Sequence, residues 1–140
     1  MPVAANKSDK FTIVGIGASA GGLHGFSEIL SHLPDDTGMA FVLVQHLAPE
    51  QNSLLERLLE RSTDIPIVRA EDGMAVAANR VHVIPPGVEM TIVNGQLQLT
   101  EHPASQPRGR TIDTFFCSLA EDCHNQAIAI VLSGSNDDGA

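Results

Sequence analysis

A chain of 140 residues has the size of one domain and is long enough to bury a sizeable core. Its 17 acidic and 8 basic residues give a net charge of −9, which argues against nucleic acids and anionic membranes as partners because phosphate contacts need a basic surface. No apolar run reaches transmembrane length and the polar start has no signal-peptide core, so we expect a cytoplasmic protein without direct membrane insertion.

In chain order, residues 1–10 are expected to be a disordered lead to a single domain over residues 11–140. Five apolar segments of that domain are predicted strands. Most of them are continuous apolar runs rather than alternating ones, so we expect both faces of their sheet to be covered. The predicted strands are residues 11–15, 39–45, 65–69, 80–84 and 127–132.

Helices are predicted between these strands, where apolar residues recur at helical spacing: residues 22–33, 53–61 and 112–123. Ser53 and Glu56 have the spacing of a capping box, which predicts that the second helix begins there. Asn94-Gly95 between two alternating runs predicts a β-hairpin over residues 89–100, and a polar loop follows it.

This order of elements predicts an α/β fold in three layers. The pattern is β-α-β-α-β, then a strand and the hairpin, then α-β, which is typical of a doubly wound, mostly parallel, Rossmann-like sheet with a β-hairpin insertion. The first strand would lie centrally, with the second strand on one side and the last strand on the other. Function in such sheets gathers outside the carboxyl ends of the strands.

The glycine-rich stretch over residues 15–22, GIGASAGG, fits two motifs that predict different chemistry. Read from Gly15 it is G-x-G-x-x-A, a loose dinucleotide fingerprint; read from Gly17 it is G-x-S-x-G, a turn that presents a serine nucleophile. A dinucleotide site needs an acidic residue at the end of the second strand to hold the ribose. The chain has Gln45 and His46 there instead, which weakens nucleotide binding.

Three kinds of polar residue follow neighbouring strands of the predicted sheet: Ser19 the first, His46 the second, and Asp137 and Asp138 the last. Together they are the parts of a nucleophile, base and orienter triad. Each also has an ordinary structural interpretation. The serine can serve close packing, the histidine can be a hydrogen-bonded surface residue, and the aspartates can form a turn. From the residues alone, both interpretations stay open.

No metal site is predicted. No pair of histidines has metal-ligand spacing with a carboxylate, and Cys117 and Cys123 lie six residues apart on different faces of one predicted helix.

Several blocks of the sequence, in order, resemble the catalytic domain of the CheB-type chemotaxis receptor methylesterases, which are protein-glutamate methylesterases and glutaminases. The resemblance covers residues 11–140, and residues 83–86 (VIPP) and 115–122 (FFCSLAED) look most like the versions fused to a receptor methyltransferase and sensor domains. The blocks are residues 15–22 (GIGASAGG), 44–47 (VQHL), 70–74 (AEDGM), 83–87 (VIPPG), 112–116 (IDTFF), 131–134 (VLSG) and 138–140 (DGA).

The resemblance implies a role for each matching residue. Ser19 is the nucleophile, His46 the general base and Asp138, rather than Asp137, the orienting acid. The backbone amides of His46 and Ser135 are the oxyanion donors. The implied substrate is a methyl-esterified glutamate in the cytoplasmic region of a methyl-accepting chemoreceptor, no cofactor is required, and the same site would deamidate receptor glutamines.

The chain also departs from the family pattern. Ala20 stands where free-standing enzymes often have threonine, and Asn136 where the fused relatives usually have glycine. No receiver domain precedes the catalytic part, and the chain ends at Ala140, so we expect the C-terminal elements of the domain to be lacking. A non-catalytic interaction or regulatory module of a sensory protein is the alternative function.

Overall fold

The computed structural model describes residues 11–18, 23–45, 49–101, 111–123 and 126–132, which form an α/β domain. The predicted fold class is confirmed. In chain order the elements are β1 (Ile13–Ala18), α1 (Leu23–Ser31), β2 (Ala40–Gln45), α2 (Pro49–Ser62), β3 (Ile67–Arg69), β4 (Val81–Val83), β5 (Val88–Val93), β6 (Gln96–Glu101), α3 (Thr111–Cys123) and β7 (Ala127–Leu132).

Five strands form a parallel sheet in the order β3-β4-β2-β1-β7. β1 lies between β2 and β7, as the sequence predicted. Parallel neighbours need a crossover between them. α1 connects β1 to β2 and α2 connects β2 to β3, whereas residues 70–80, which contain no helix, connect β3 to β4.

Alternation along the strands divides the core into two layers. Even-numbered β1 residues such as Val14 and Ile16 pack with α1 and α2 through Phe26, Leu30, Leu55 and Leu59. Residues on the other face, including Val42 and Val44 of β2, pack with α3 and with the hairpin formed by β5 and β6. Successive side chains of a strand point to opposite faces, so one apolar run supplies both layers.

Two glycines on the α3 side of β1 allow that helix to approach closely. A Cβ atom at Gly17 would lie 2.5 Å from Ile112 Cγ2, and one at Gly15 would lie 3.1 Å from Phe116 Cε1. Glycine normally weakens a strand, and close approach of another element is the usual reason for its presence there.

The predicted hairpin is confirmed, and its turn is held by α3. Asn94 and Gly95 have φ values of 54° and 77°, as the two central residues of a type I′ turn require. Their backbone N–H groups donate to the two carboxylate oxygens of Asp122, at 2.6 and 2.9 Å. The carboxylate therefore joins the end of α3 to the hairpin turn.

Two predicted boundaries are wrong. β1 runs over Ile13–Ala18 rather than residues 11–15, because the glycines that suggested an early loop are strand residues packed against α3. α2 begins at Pro49, so Ser53 and Glu56 lie inside the helix and do not cap its start. Proline is favoured at the first helical position because its missing N–H would have no partner there.

Residues 1–10 lie outside the described residues, so the disordered lead stays a prediction. None of the helices in the described ranges is long and apolar enough to cross a membrane.

Candidate functional site

The carboxyl ends of three neighbouring strands lie level at one edge of the sheet. Ala18, the last residue of β1, is paired with Gln45 at the end of β2 and with Leu132 at the end of β7. Adjacent strands lie about 4.8 Å apart, so the chain leaves these three strands side by side. The next residues in sequence are Ser19, His46 and Ser133.

The predicted site residues themselves lie outside the described residues. This applies to Ser19, His46, Ser135 and Asp138, and also to the alternative acid Asp137. The described part of the chain brings together the strand ends from which these residues continue. Their mutual distances and hydrogen bonds stay predictions.

The packing behind this edge is tight on both faces. On one face, α3 begins at Thr111, and the next residue, Ile112, lies against Gly17. On the other face, a Cβ atom at Gly25 of α1 would lie 3.0 Å from Leu132 Cδ1. Helices therefore contact the next-to-last residue of β1 and the last residue of β7. This packing limits the movement of both strand ends.

A carboxylate lies near the start of α3. Glu89 of β5 accepts a hydrogen bond from the Thr111 hydroxyl at 3.3 Å. Negative charge is favourable near a helix N-terminus because the first N–H groups of the helix have no partner within it.

Gln45 is a buried polar residue that the sequence analysis did not single out. Only 6% of it is exposed, and neither Oε1 nor Nε2 of its side chain has a hydrogen-bond partner in the described structure. Buried polar groups are nearly always paired, so this amide requires an explanation. The signal in the sequence was a single amide closing an otherwise apolar strand.

The buried histidine of β4 is structural. Ala77 N–H donates to His82 Nε2 at 3.2 Å, so Nδ1 carries the ring proton and donates to the Phe41 carbonyl at 2.8 Å. Burial lowers the pKa of His82, which keeps the ring neutral. Both ring nitrogens are engaged with backbone groups, so this side chain has no free atom for catalysis.

The described ranges offer no metal-binding cluster, and one of their two cysteines is a poor nucleophile. They contain no cluster of three or more His, Cys, Asp or Glu side chains that could hold a metal ion. Cys117 and Cys123 are both free thiols, and burial, together with the Asp122 charge, raises the pKa of Cys123 to about 11. A thiol reacts as the thiolate, so Cys123 is a poor nucleophile at neutral pH.

A cavity of about 350 Å³ lies at the opposite end of the sheet from the level strand ends. It is lined by the carboxyl-terminal ends of α1 and α2, including Ser31 and Arg61, and by the residues that follow them. Because function in parallel α/β sheets gathers at the carboxyl ends of the strands, this cavity is not the candidate site.

Comparison with known proteins identifies relatives along almost the whole chain. The chain is 34% identical over 130 residues to protein-glutamate methylesterase/protein-glutamine glutaminase 3 of Burkholderia orbicola (strain AU 1054), covering 92% of this chain and 38% of that relative. It is 28% identical over 139 residues to a protein-glutamate methylesterase/protein-glutamine glutaminase of Desulfotalea psychrophila, covering 95% and 38%. The chain thus spans about two fifths of the length of these curated relatives.

A solved structure with the same fold is the CheB methylesterase catalytic domain of Thermotoga maritima. The two superpose with a TM-score of 0.79 at 28% identity, over 92% of this chain and 70% of the Thermotoga chain. The family model described as CheB methylesterase matches residues 14–140. Because the family model matches nearly the whole chain, and the relatives and the solved structure agree with it, the chain belongs to the CheB methylesterase family.

Proposed function

We propose that this chain carries the catalytic site of a protein-glutamate methylesterase, a serine hydrolase that removes methyl esters from glutamate side chains. The observation that carries the proposal is the pairing of Ala18 with both Gln45 and Leu132. This pairing starts the segments bearing Ser19, His46 and Asp138 at one edge of the sheet. The names of the Burkholderia and Desulfotalea relatives support the same activity.

The proposed mechanism uses the triad in its usual roles. His46 takes the proton from the Ser19 hydroxyl as the oxygen attacks the γ-ester carbonyl, and Asp138 fixes the imidazole tautomer and stabilises the imidazolium. The backbone N–H groups of His46 and Ser135 hold the oxyanion, an interaction worth about 3–4 kcal/mol per donor in hydrolases. Methanol leaves, and water then hydrolyses the glutamyl-enzyme to release the carboxylate.

The proposed substrate is the cytoplasmic region of methyl-accepting chemoreceptors, which places the protein in the cytoplasm. Deamidation of receptor glutamines follows the same path with ammonia as the leaving group, as the two-part names of the relatives suggest. From the resemblance to the fused versions, the proposal also includes an associated receptor methyltransferase.

The first test is covalent labelling by a fluorophosphonate probe, followed by intact-mass measurement. Wild type should gain one label, Ser19→Ala should gain none, and His46→Ala and Asp138→Ala should label at least about 1,000-fold more slowly. Asp137→Ala is the matched control, because it removes the neighbouring carboxylate, and it should label like wild type. Circular dichroism on each variant confirms that it is folded.

The second test measures methanol release from methyl-esterified chemoreceptor by wild type and Ser19→Ala. Release by wild type alone supports the assigned substrate. Labelling that persists in Ser19→Ala would place the nucleophile elsewhere. A folded wild type that neither labels nor releases methanol would overturn the proposal and favour a non-catalytic interaction module.

A further inference from the structure

The turn of the β5–β6 hairpin is an Asn-Gly pair whose two backbone N–H groups are bound by one carboxylate. Asn94 N–H donates to Asp122 Oδ1 at 2.6 Å, and Gly95 N–H donates to Oδ2 at 2.9 Å. On the other side of the turn, Val76 N–H donates to the Gly95 carbonyl at 2.9 Å. The Asn94 residue itself is exposed. The turn is therefore held by α3 and by residue 76, while the side chain of its asparagine residue is open to water.

An Asn-Gly pair can react with itself. Once the Gly95 nitrogen has given its proton to a base in the solvent, it can attack Cγ of the Asn94 side chain. The new N–C bond closes a cyclic succinimide, and the side-chain nitrogen takes up a proton and leaves as ammonia. Water then opens the ring to aspartate or isoaspartate, so the net change converts an amide and water into a carboxyl group and ammonia. Glycine favours ring closure because it has no Cβ atom to obstruct it.

The Asp122 carboxylate opposes the first step of this reaction. A hydrogen bond from an N–H group to a carboxylate stabilises the protonated nitrogen, and the nearby negative charge disfavours the amide anion. The Gly95 nitrogen donates to this carboxylate at 2.9 Å. It therefore has to leave Asp122, by a local opening of the turn away from α3, before it can react.

We propose that Asn94 is a latent site of deamidation through a succinimide, and that Asp122 blocks the reaction while the turn is bound to α3. The product does not bind in the same way. An aspartate at position 94 places a second negative charge beside Asp122, and an isoaspartate lengthens the backbone of the turn. Deamidation thus converts a brief opening of the hairpin into a permanent one. The inference concerns residues outside the proposed triad and does not rest on the proposed function.

A second asparagine residue supplies an internal comparison. Asn79 also has a positive φ, of 63°, but Arg80 follows it, and its Oδ1 atom accepts a hydrogen bond from Gly38 N–H at 2.7 Å. The Arg80 residue has the Cβ atom that a glycine lacks, which hinders ring closure. Asn79 should therefore keep its amide under conditions in which Asn94 loses it.

The experiment measures the rate of amide loss at Asn94 by peptide mapping with mass spectrometry, during incubation in mildly alkaline buffer. Wild type unfolded in guanidinium chloride gives the rate without protection, and folded wild type should be at least about tenfold slower. Folded Asp122→Ala should lose the amide about tenfold faster than folded wild type, because a hydrogen bond to a charged group is lost.

Two control variants separate the turn contact from general effects. Glu121→Gln removes the neighbouring carboxylate, which lines the same surface groove, and leaves both turn hydrogen bonds in place. Ile128→Ala weakens packing at β7 without touching the hairpin. Both should deamidate at the wild-type rate. Asp122→Asn keeps the size of the side chain and removes its charge, so its rate should be raised as well. It is the decisive variant if circular dichroism shows Asp122→Ala to be unfolded.

Each outcome supports or overturns the inference. Faster amide loss at Asn94 in a folded Asp122 variant, with both controls unchanged, supports it. Equal rates in folded wild type and in a folded Asp122 variant overturn it, as do equal rates in folded and unfolded wild type. Equal acceleration in Ile128→Ala also overturns it, because unfolding of the whole domain would then control the reaction. None of these readouts uses Ser19 labelling, so failure of the esterase proposal is a separate result.

Discussion

β2 and β7 flank the same strand, and both are six-residue apolar segments, yet only one of them is buried. β2 reads AFVLVQ and is buried at every position, whereas β7 reads AIAIVL and is buried at none. The contrast also holds between two residues that are paired with the same residue of β1. Val14 of β1 has Phe41 on one side, 2% exposed, and Ile128 on the other, 46% exposed.

The difference follows from what lies beyond each strand. β2 has β4 on its far side and helices over both faces, whereas β7 is the last strand of the sheet among the described elements. An edge strand keeps a free row of backbone groups and loses the side-chain packing of one neighbour. Burial of a strand therefore depends on its neighbours as much as on its own residues.

This asymmetry extends to the proposed site. The segments bearing Ser19 and His46 follow fully buried strands, whereas the segment bearing Asp138 follows the half-exposed one. We therefore expect the nucleophile and the base to be held by the more stable side of the sheet. Substitutions at matched positions on the two sides of the sheet test this expectation.

Phe41→Ala should lower the free energy of unfolding by about 3–5 kcal/mol, because it empties a fully packed site. Ile128→Ala, on the same rung, should lower it by only about 1 kcal/mol, since about half of that side chain is already in contact with water. Urea unfolding with both midpoint and slope recorded measures the difference. Equal losses in the two variants would mean that β7 is as well covered in solution as β2.

Gly17→Ala should destabilise the protein by about 1–3 kcal/mol, because the new methyl group would lie 2.5 Å from Ile112 Cγ2. Gly25→Ala, on the β7 side, meets only the flexible end of Leu132 at 3.0 Å and gains about 1 kcal/mol of helix propensity. Its stability should stay within about 1 kcal/mol of wild type.

The double variant Gly17→Ala/Ile112→Ala provides the control for that clash. Removing the Ile112 side chain makes room for the new methyl group, so the double variant should lose less stability than the sum of the two single variants. Strict additivity in thermal or urea unfolding would contradict the proposed steric cause.

The stability of the β2 side should depend on pH through His82, which hydrogen-bonds to the Phe41 carbonyl. Burial lowers the pKa of His82 in the folded protein below its ordinary value of 6.5, so the unfolded chain takes up the proton first as the pH falls. The neutral His82 therefore makes its full contribution to the free energy of unfolding above about pH 6.5. Below that pH the contribution decreases, by at most about 1.4 kcal/mol per pH unit.

Urea midpoints between about pH 7.5 and 5.5 measure this effect in wild type and in His82→Gln. The variant should lose the slope below about pH 6.5, and the two curves should run parallel above it. A wild-type curve without a slope in this window, or the same slope in the variant, would contradict the assignment to His82.

Several features of the fold could be predicted from local patterns. The hairpin followed from Asn94-Gly95, because few residues other than glycine and asparagine adopt the positive φ angles of that turn. The position of β1 between its neighbours followed from the order of strands and helices, because parallel strands need crossovers of one hand. The start of α2 could not be chosen this way, since Ser53 and Pro49 are both acceptable near a helix start.

Local composition and chain connectivity predict the apolar strands, their order, and the residue types at their carboxyl ends, including Ser19 and His46. The folded structure adds that Ala18, Gln45 and Leu132 are aligned at the ends of their strands, that β7 is half exposed, and that the Gln45 amide is buried without a described partner. Register, burial and hydrogen-bond satisfaction depend on neighbours distant in sequence, so no local pattern contains them.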